Sequence, residues 1–512
     1  MDKTSITHRA LKNISFSLIG FGWPILIAIF VTPIVVIGLG VKEYGIYVFI
    51  STLISIVGLI EIGVSSAFAK FIAERHSTKN YLGLSSLFKT GNTILFFIGI
   101  FGGLLIISTL YIGNIFFPEA IVNYMHYYPA FISAGIMFFI NSMVTLYIVI
   151  PTALQRVDVG TKIGIAFFTF QQTVIVLGVI FHIGLNNIFI ALAVLYACFY
   201  FLYRDNSTHI LPVETQKDLH QFGFDKRELL QVYTFGFGVF FNNIAGSLLA
   251  YLDKAIIPVF IGPSNLTYYS LAGSIASKTP GLSQTFTSVV FPMTASFESV
   301  GDRERVKTLY IRTTRLIAVF STAITVTIIS FPYLMLKYWI SVDVAEKTTG
   351  ILVILALTNW IISLSGTLSG FLTGLGRLKQ LTMTSLTSAF INAILLFIFL
   401  PKMGIIGAAW AYLFCFIPYL LLLYWIEYKL LNLTGRKIHY VALSAKLLST
   451  GVIVFVLNQL IFKQFIYNFP TVLVFGAVSG SLFLGIYFIF GFFEKEDVRD
   501  ILGFAKKTLR RG

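Results

Sequence analysis

Apolar residues in this chain run in stretches of about 20, the length of helix that crosses a hydrocarbon layer about 30 Å thick. Short polar segments rich in lysine and arginine separate them. Fourteen such stretches can be marked out, beginning near Ile14, Tyr44, Leu87, Tyr128, Ile163, Ile188, Tyr233, Tyr268, Tyr310, Ile351, Leu381, Ile405, Val441 and Thr471. The pattern predicts an all-α integral membrane chain of about 14 transmembrane helices. The seventh and eighth stretches are the least apolar, because each carries charge within it.

Composition agrees with a bilayer as solvent. Hydrophobic residues make up 57% and charged residues 12% of the 512, about half the charge of an ordinary soluble domain. The net charge of +15 would suggest nucleic acid in a soluble protein, but its distribution gives it another meaning. With fourteen spans, thirty of the 37 lysines and arginines fall on the side of the N-terminus, five on the other side, and Lys254 and Lys278 inside spans. One missed span would scramble that split, so both termini are expected in the cytoplasm. The outward loops are short; the longest lies around Gly113 to Tyr127.

Sliding the chain against itself by about 222 residues brings Gly40 onto Gly262, Tyr47 onto Tyr269 and Ala73 onto Ala295, and a shift of 221 brings Leu154-Gln155-Arg156 onto Leu375-Gly376-Arg377. This self-similarity predicts two six-span repeats, inserted in the same orientation, followed by an extra helical pair. The expected divisions are an N-terminal lobe over 1–210, a C-terminal lobe over 211–430, and two additional helices with a basic cytoplasmic tail over 431–512.

Charges inside spans are costly and are functional candidates by default. Glu61 falls in the second span, Asp253 and Lys254 in the seventh, and Lys278 in the eighth. The carboxylates Glu61 and Asp253 suit either ion coupling to H+ or Na+ or an internal ion pair with a lysine. Polar amides such as Asn141, Gln171, Asn242, Asn243, Asn359 and Asn392 recur in the spans. Asn242 and Asn243, near Asp253, are the amides favoured for the pathway. Pro24, Pro33, Pro258, Pro280 and Pro292 mark kinks. Arg156 and Arg377 on matching turns suit a gate or a headgroup anchor. Cys198 and Cys415 lie in apolar runs and are expected as buried thiols. No nucleotide loop, His-Glu-x-x-His or cysteine-histidine cluster is present, so no catalytic residue, metal site or cofactor is expected.

Several stretches carry a family likeness. His8-Arg9-Ala10-Leu11-Lys12-Asn13 precedes the first span, Gly38-Leu39-Gly40-Val41-Lys42-Glu43-Tyr44-Gly45-Ile46-Tyr47 forms the first outward turn, and Leu59-Ile60-Glu61-Ile62-Gly63-Val64 follows in the second span. Tyr251-Leu252-Asp253-Lys254 with Gly262, and Leu372-Thr373-Gly374-Leu375-Gly376-Arg377, continue it in the second half. Together they resemble the polysaccharide transporter branch, with its O-antigen flippases, of the multidrug/oligosaccharidyl-lipid/polysaccharide (MOP) exporter superfamily.

The resemblance implies two six-helix lobes around a central cavity plus a C-terminal helix pair, alternating access, and the bacterial inner membrane. It implies an undecaprenyl-diphosphate-linked oligosaccharide as cargo, with membrane lipids around it and a polysaccharide polymerase and chain-length machinery as partners. Lys254 and Lys278 would then offset the dehydration of an anionic headgroup. A cation-coupled drug antiporter of the same superfamily is the alternative within transport. A membrane polysaccharide polymerase or glycosyltransferase is the alternative outside it, and the short outward loops count against that.

Overall fold

A computed structural model describes residues 3–116, 124–431 and 437–493, and every regular element among them is helical. The basic residues beyond 493, and Arg436, lie outside the described residues. Among the described residues ten helices are long and apolar enough to cross a membrane, or eleven if one sharply bent pair counts as a single span. Two of the ten, Gly22–Ser77 and Leu378–Leu430, are 56 and 53 residues long. Straight helices of that length would reach about 80 Å, far beyond a hydrocarbon core of about 30 Å. Each contains one glycine with non-helical angles that breaks it, Gly40 at φ 78° and Gly404 at φ 60°, and the second is interrupted again at Cys415 and Phe416. The outward turns expected from the sequence are thus compressed to one residue that only glycine adopts without strain.

The chain falls into two compact units, Met1–Thr267 and Tyr268–Gly512. The first contains α1 (Lys3–Ser77), α2 (Tyr81–Phe116), α3 (Tyr128–Ala153), α4 (Val157–Ile180), α5 (Gly184–Ile210) and α6 (Lys226–Ile261). The packing boundary at Thr267 lies one helix beyond the 210/211 division read from the sequence, because α6 packs along α1. Their contact is backbone to backbone: a Cβ on Gly63 would come within 2.2 Å of the Gly236 carbonyl oxygen. Gly103 of α2 and Gly135 of α3 approach each other in the same way. Close approach through small residues substitutes for the hydrophobic drive that lipid cannot supply.

Residues 211–225 join α5 to α6 as a strap laid on one face of α2. Asn92 donates to the carbonyls of Leu219 at 2.7 Å and Gln221 at 3.0 Å, Thr93 donates to that of Gly223 at 2.7 Å, and Lys89 pairs with Asp218 at 2.9 Å. Asp225 then caps α6 by accepting from the Arg227 amide, and Arg75 pairs with Glu228 at 2.7 Å. Backbone groups of an irregular segment must find partners, and the α2 side chains provide them.

The second unit is built from α7 (Pro263–Ala276), most of which belongs to it, and α8 (Lys278–Ser299), followed by α9 (Arg303–Ser330), α10 (Val342–Gly374), α11 (Leu378–Phe414), α12 (Ile417–Trp425), α13 (Lys437–Leu457) and α14 (Phe469–Ile489). The eighth apolar stretch of the sequence is split at Ser277 into α7 and α8. α13 and α14 pack on α9, where Asn458 donates to Ser330 at 2.8 Å and to Ser479 at 2.7 Å. Pro24, Pro33, Pro258 and Pro292 lie inside helices, whereas Pro280 sits in the first turn of α8, where proline is tolerated. Cys198 is exposed, not buried as expected from its apolar run; Cys415 is buried, and both are free thiols.

The backbone repeats itself at the spacing found in the sequence. Gly40 and Gly262 share φ/ψ of 78°/163° and 86°/163°. Left-handed residues recur in pairs at Lys79 and Gly301, Gln155 and Gly376, His182 and Gly404. The turns around them make the same bonds: the Asn80 amide to the Arg75 carbonyl and Asp302 to Phe297, the Arg156 amide to the Pro151 carbonyl and Arg377 to Leu372. Asn80 and Asp302 each accept the amide three residues on, from Gly83 and Arg305. Local conformation thus follows the internal register at 222 residues, with 221 at the Gln155/Gly376 turn and 222 again at His182/Gly404.

Candidate functional site

Glu61 lies on α1 past its break and is buried, with 7% of its surface exposed. Its partners all come from α3. Ser142 donates to Oε1, Thr145 to Oε2 at 3.0 Å, and the Asn141 amide approaches Oε2 at 3.5 Å. These donors sit at i, i+1 and i+4 on one helix, a spacing that gathers them on neighbouring faces. The carboxylate is therefore held by neutral groups. Hydroxyls can rotate to donate to an ionised acid or accept from a protonated one, so the cage accommodates both states, and its oxygens are the hard ligands a small cation takes. Asn141 was legible from the sequence; Ser142 and Thr145 were not, since hydroxyls in spans are common. Their signal is their register with Asn141.

α6 is bent by 68° between Lys226–Phe241 and Gly246–Ile261. Asp253 and Lys254 both lie on the second arm. Asp253 is 4% exposed and Lys254 half-buried. Successive residues on a helix point about 100° apart, so the two present their charges to different surroundings. Asn243 occupies the elbow, exposed, with its amide donating to the Val239 carbonyl of its own helix at 2.8 Å. The side chain of Asn242 lies outside the described residues.

Lys278 belongs to the second unit, exposed at the first position of α8. It follows Ser277, whose amide still donates to the Gly273 carbonyl at 2.9 Å at the end of α7. Arg156 is exposed on its turn and meets Asp158 at 3.4 Å. Arg377, exposed on the matching turn, lies 6.0 Å from the Trp425 ring centroid. The residues singled out in the sequence thus occupy separate places: Glu61 against α3, the Asp253–Lys254 pair on the bent arm of α6, Lys278 at a helix break, and the two arginines on surface turns. No group of three or more histidines, cysteines or carboxylates that could hold a metal occurs among the described residues.

The architecture is that of known transporters. The lipid II flippase MurJ in an inward closed conformation superposes with a TM-score of 0.68 over 93% of this chain and 99% of its own, at 16% identity. A multidrug resistance MATE family transporter of the MOP superfamily matches in its inward-facing conformation with a TM-score of 0.62, covering 82% of this chain and 99% of that one at 14% identity. Its outward-facing conformation gives 0.53, 14% identity, 83% and 95%. No curated protein sequence matches the chain. The family described as "Polysaccharide biosynthesis protein" matches residues 10–298, more than half the sequence. The chain has the MOP transporter fold and belongs to that polysaccharide biosynthesis family.

Proposed function

We propose that this protein is a flippase that carries an undecaprenyl-diphosphate-linked oligosaccharide repeat unit across the bacterial inner membrane, for O-antigen or related polysaccharide assembly. What supports the reading is the family together with a fold shared with a lipid II flippase. The observation that carries it is Lys254, a half-buried ammonium on the bent arm of α6. A diphosphate headgroup leaving water loses its hydration, and ammonium groups along its path replace part of it. Lys278, at the break before α8, is the second cation of this path, with Asn242 and Asn243 as donors to sugar hydroxyls. In this reading the chain performs no covalent chemistry and binds no cofactor. Arg156 and Arg377 anchor the turns at headgroups.

Glu61 is our choice for the coupling group to H+ or Na+, because its neutral cage holds both charge states; Asp253 is the second choice. In this reading the two long helices are split at Gly40 and Gly404, the bent α6 counts as one span and α7 with α8 as another, for fourteen spans with both termini in the cytoplasm. The lobes are then 1–210 and 211–430, with 431–512 as the added pair and tail. A polysaccharide polymerase and chain-length machinery are the expected partners.

A cation-coupled small-molecule antiporter is the second reading, favoured by the likeness to MATE transporters. Deleting the gene and analysing lipid-linked intermediates separates the two. Accumulation of complete, unpolymerised units inside the cell supports flipping. Unchanged lipids with altered drug sensitivity support the antiporter, and truncated units point to a transferase. In the complemented strain, Lys254→Ala should abolish surface glycan at unchanged protein abundance; normal glycan would remove Lys254 from the path.

A further inference from the structure

The first unit contains a cavity of about 460 Å³ enclosed on three sides by α1, α2 and α6. Its walls are almost wholly apolar. Ile60, Gly63 and Val64 come from α1, Thr93, Ile94, Phe97 and Ile98 from α2, and a stripe from Leu229 to Phe240 from α6, with Phe224 of the strap at one end. The open flank exposes Phe97, Phe224, Tyr233 and Phe237. Along α6 the lining runs from Leu229 to Phe240, about 16 Å at helical rise. That is close to half of a hydrocarbon core of about 30 Å, the depth reached by the chains of one leaflet.

The same three helix faces, followed toward the strap, change character together. Seven residues beyond Gly63 on α1 stands Lys70; four before Thr93 on α2 stands Lys89; three before Leu229 on α6 stands Lys226. Offsets of three, four and seven keep a residue on one face of a helix, so each apolar stripe ends in a lysine at the same end of the slot. Lys70 and Lys226 are exposed, and the Lys70 ammonium lies 4.5 Å from the Phe235 ring centroid, against α6. Of the carboxylates at this end, Asp218 is engaged with Lys89, Glu228 with Arg75, and Asp225 with the Arg227 amide and Ser86, while Glu74, one turn beyond Lys70 on α1, is exposed. An apolar slot one leaflet deep, with ammonium groups at its mouth, has the polarity of an anionic lipid laid alongside it.

We infer that this slot binds one chain of an anionic membrane phospholipid, with its phosphate held by Lys70 and Lys226. The site is separate from the residues assigned to cargo, and its occupancy does not depend on the protein being a flippase.

The test uses the purified full-length chain and native mass spectrometry, with phosphatidylglycerol and phosphatidylcholine added as alternative probes. Wild type should retain phosphatidylglycerol in preference. Lys70→Glu/Lys226→Glu should lose that preference by about fivefold per lysine, and Lys70→Arg/Lys226→Arg should keep it. Ile94→Trp, which fills the slot, should lower retention of both lipids while the protein stays monodisperse. Equal retention of the two lipids by wild type, or an unchanged preference in the glutamate variant, overturns the proposal. Displacement of the phospholipid by an equimolar prenyl diphosphate also overturns it, assigning the slot to cargo. Because no cargo enters the main measurement, failure of the flippase reading leaves the result standing.

Discussion

The two repeats put different chemistry at the same helix crossing. Counting 222 residues from Glu61 leads to Ser283 on α8, and counting 221 from Ser142 and Thr145 leads to Ser363 and Gly366 on α10. In the first copy a buried carboxylate accepts from both hydroxyls. In the second, Ser283 donates to the Ser363 carbonyl at 2.8 Å, and Thr287 donates to the Gly366 carbonyl at 2.9 Å. A Cβ on Gly366 would stand 2.9 Å from the Ser283 Cβ, tighter than ordinary contact. The second crossing is thus filled by small side chains and closed with neutral bonds. The first keeps the same place open for an acid and surrounds it with groups that tolerate a change of charge. A duplicated fold needs the crossing for packing in both copies; only one copy places a titratable group there, and a working residue rather than a scaffold is the economical explanation.

The strongest way to break this comparison is Glu61→Gln. The amide retains an acceptor for Ser142 or Thr145, so abundance and thermal stability should change little, while ion-driven transport should fall about tenfold or more, the scale of ordinary coupling free energies of about 1–3 kcal/mol. Transport assayed with and without a proton or sodium gradient reads the difference. A variant that keeps its gradient dependence removes Glu61 from coupling. Ser283→Ala is the matched control, and its transport should remain at wild-type level.

Next in size is Gly366→Leu. The added side chain meets Ser283 in a crossing with no spare room, so overpacking should cost about 1–3 kcal/mol. It should appear as a lower melting midpoint of the purified protein. If Gly366→Leu melts like wild type, the second crossing is looser than its geometry shows, and the contrast between the copies weakens.

How much of this was legible in the sequence depends on the scale of the feature. The apolar stretches gave helices because a bilayer enforces them one by one, and the repeat register is visible in the backbone down to individual left-handed residues. The exceptions have local causes. Gly40 and Gly404 make turns of one residue, so the spans marked as separate from Tyr44 and Ile405 run on as long helices instead of being set apart by loops. The eighth stretch splits at Ser277, next to the Lys278 and Pro280 already singled out in it, which were read as features of one continuous span. For the site, Glu61 was visible as a charge in an apolar run, but its cage was not, since Ser142 and Thr145 read as ordinary span hydroxyls. The strap was missed because Ser86, Asn92 and Thr93 serve a segment more than 120 residues away, a pairing with no sequence period.

The corners offer a finer comparison. At all three of these matched positions the first repeat carries a residue with a side chain in the left-handed region, Lys79, Gln155 and His182, where the second has Gly301, Gly376 and Gly404. A residue with a Cβ pays about 1 kcal/mol there relative to glycine. Gln155→Gly should therefore stabilise by some tenths of a kcal/mol, since glycine also enlarges the unfolded ensemble, and Gly376→Gln, where both effects run in reverse, should destabilise by about the same few tenths. Thermal unfolding of the two single variants measures both. Equal and opposite shifts would show that the paired corners are energetically as well as geometrically equivalent.

The smallest expected effect separates the units by pH. His220 of the strap contacts Tyr147 at 3.4 Å through Nδ1 and Thr208 at 3.2 Å through Nε2. Its pKa is lowered, first by burial and then by the positive charge of Arg204. A histidine depressed below its unfolded value of about 6.5 binds fewer protons folded than unfolded. Its contribution is therefore full above pH 6.5 and declines as pH falls below it, toward the folded value. The loss should be small and confined to the strap of the first unit, where protonated imidazole can no longer accept from a neighbouring hydroxyl. Amide exchange of residues 211–225, followed between pH 7.5 and 5, should quicken at the acid end in wild type. In His220→Gln, which keeps a donor and an acceptor but does not titrate, that acceleration should be absent. Quickening that survives the substitution would assign the pH response to another group. The Lys89–Asp218 pair on the same strap is a poor candidate, because Asp218 is held below its usual value of 3.8, chiefly by its bond to Lys89, and stays ionised throughout the window.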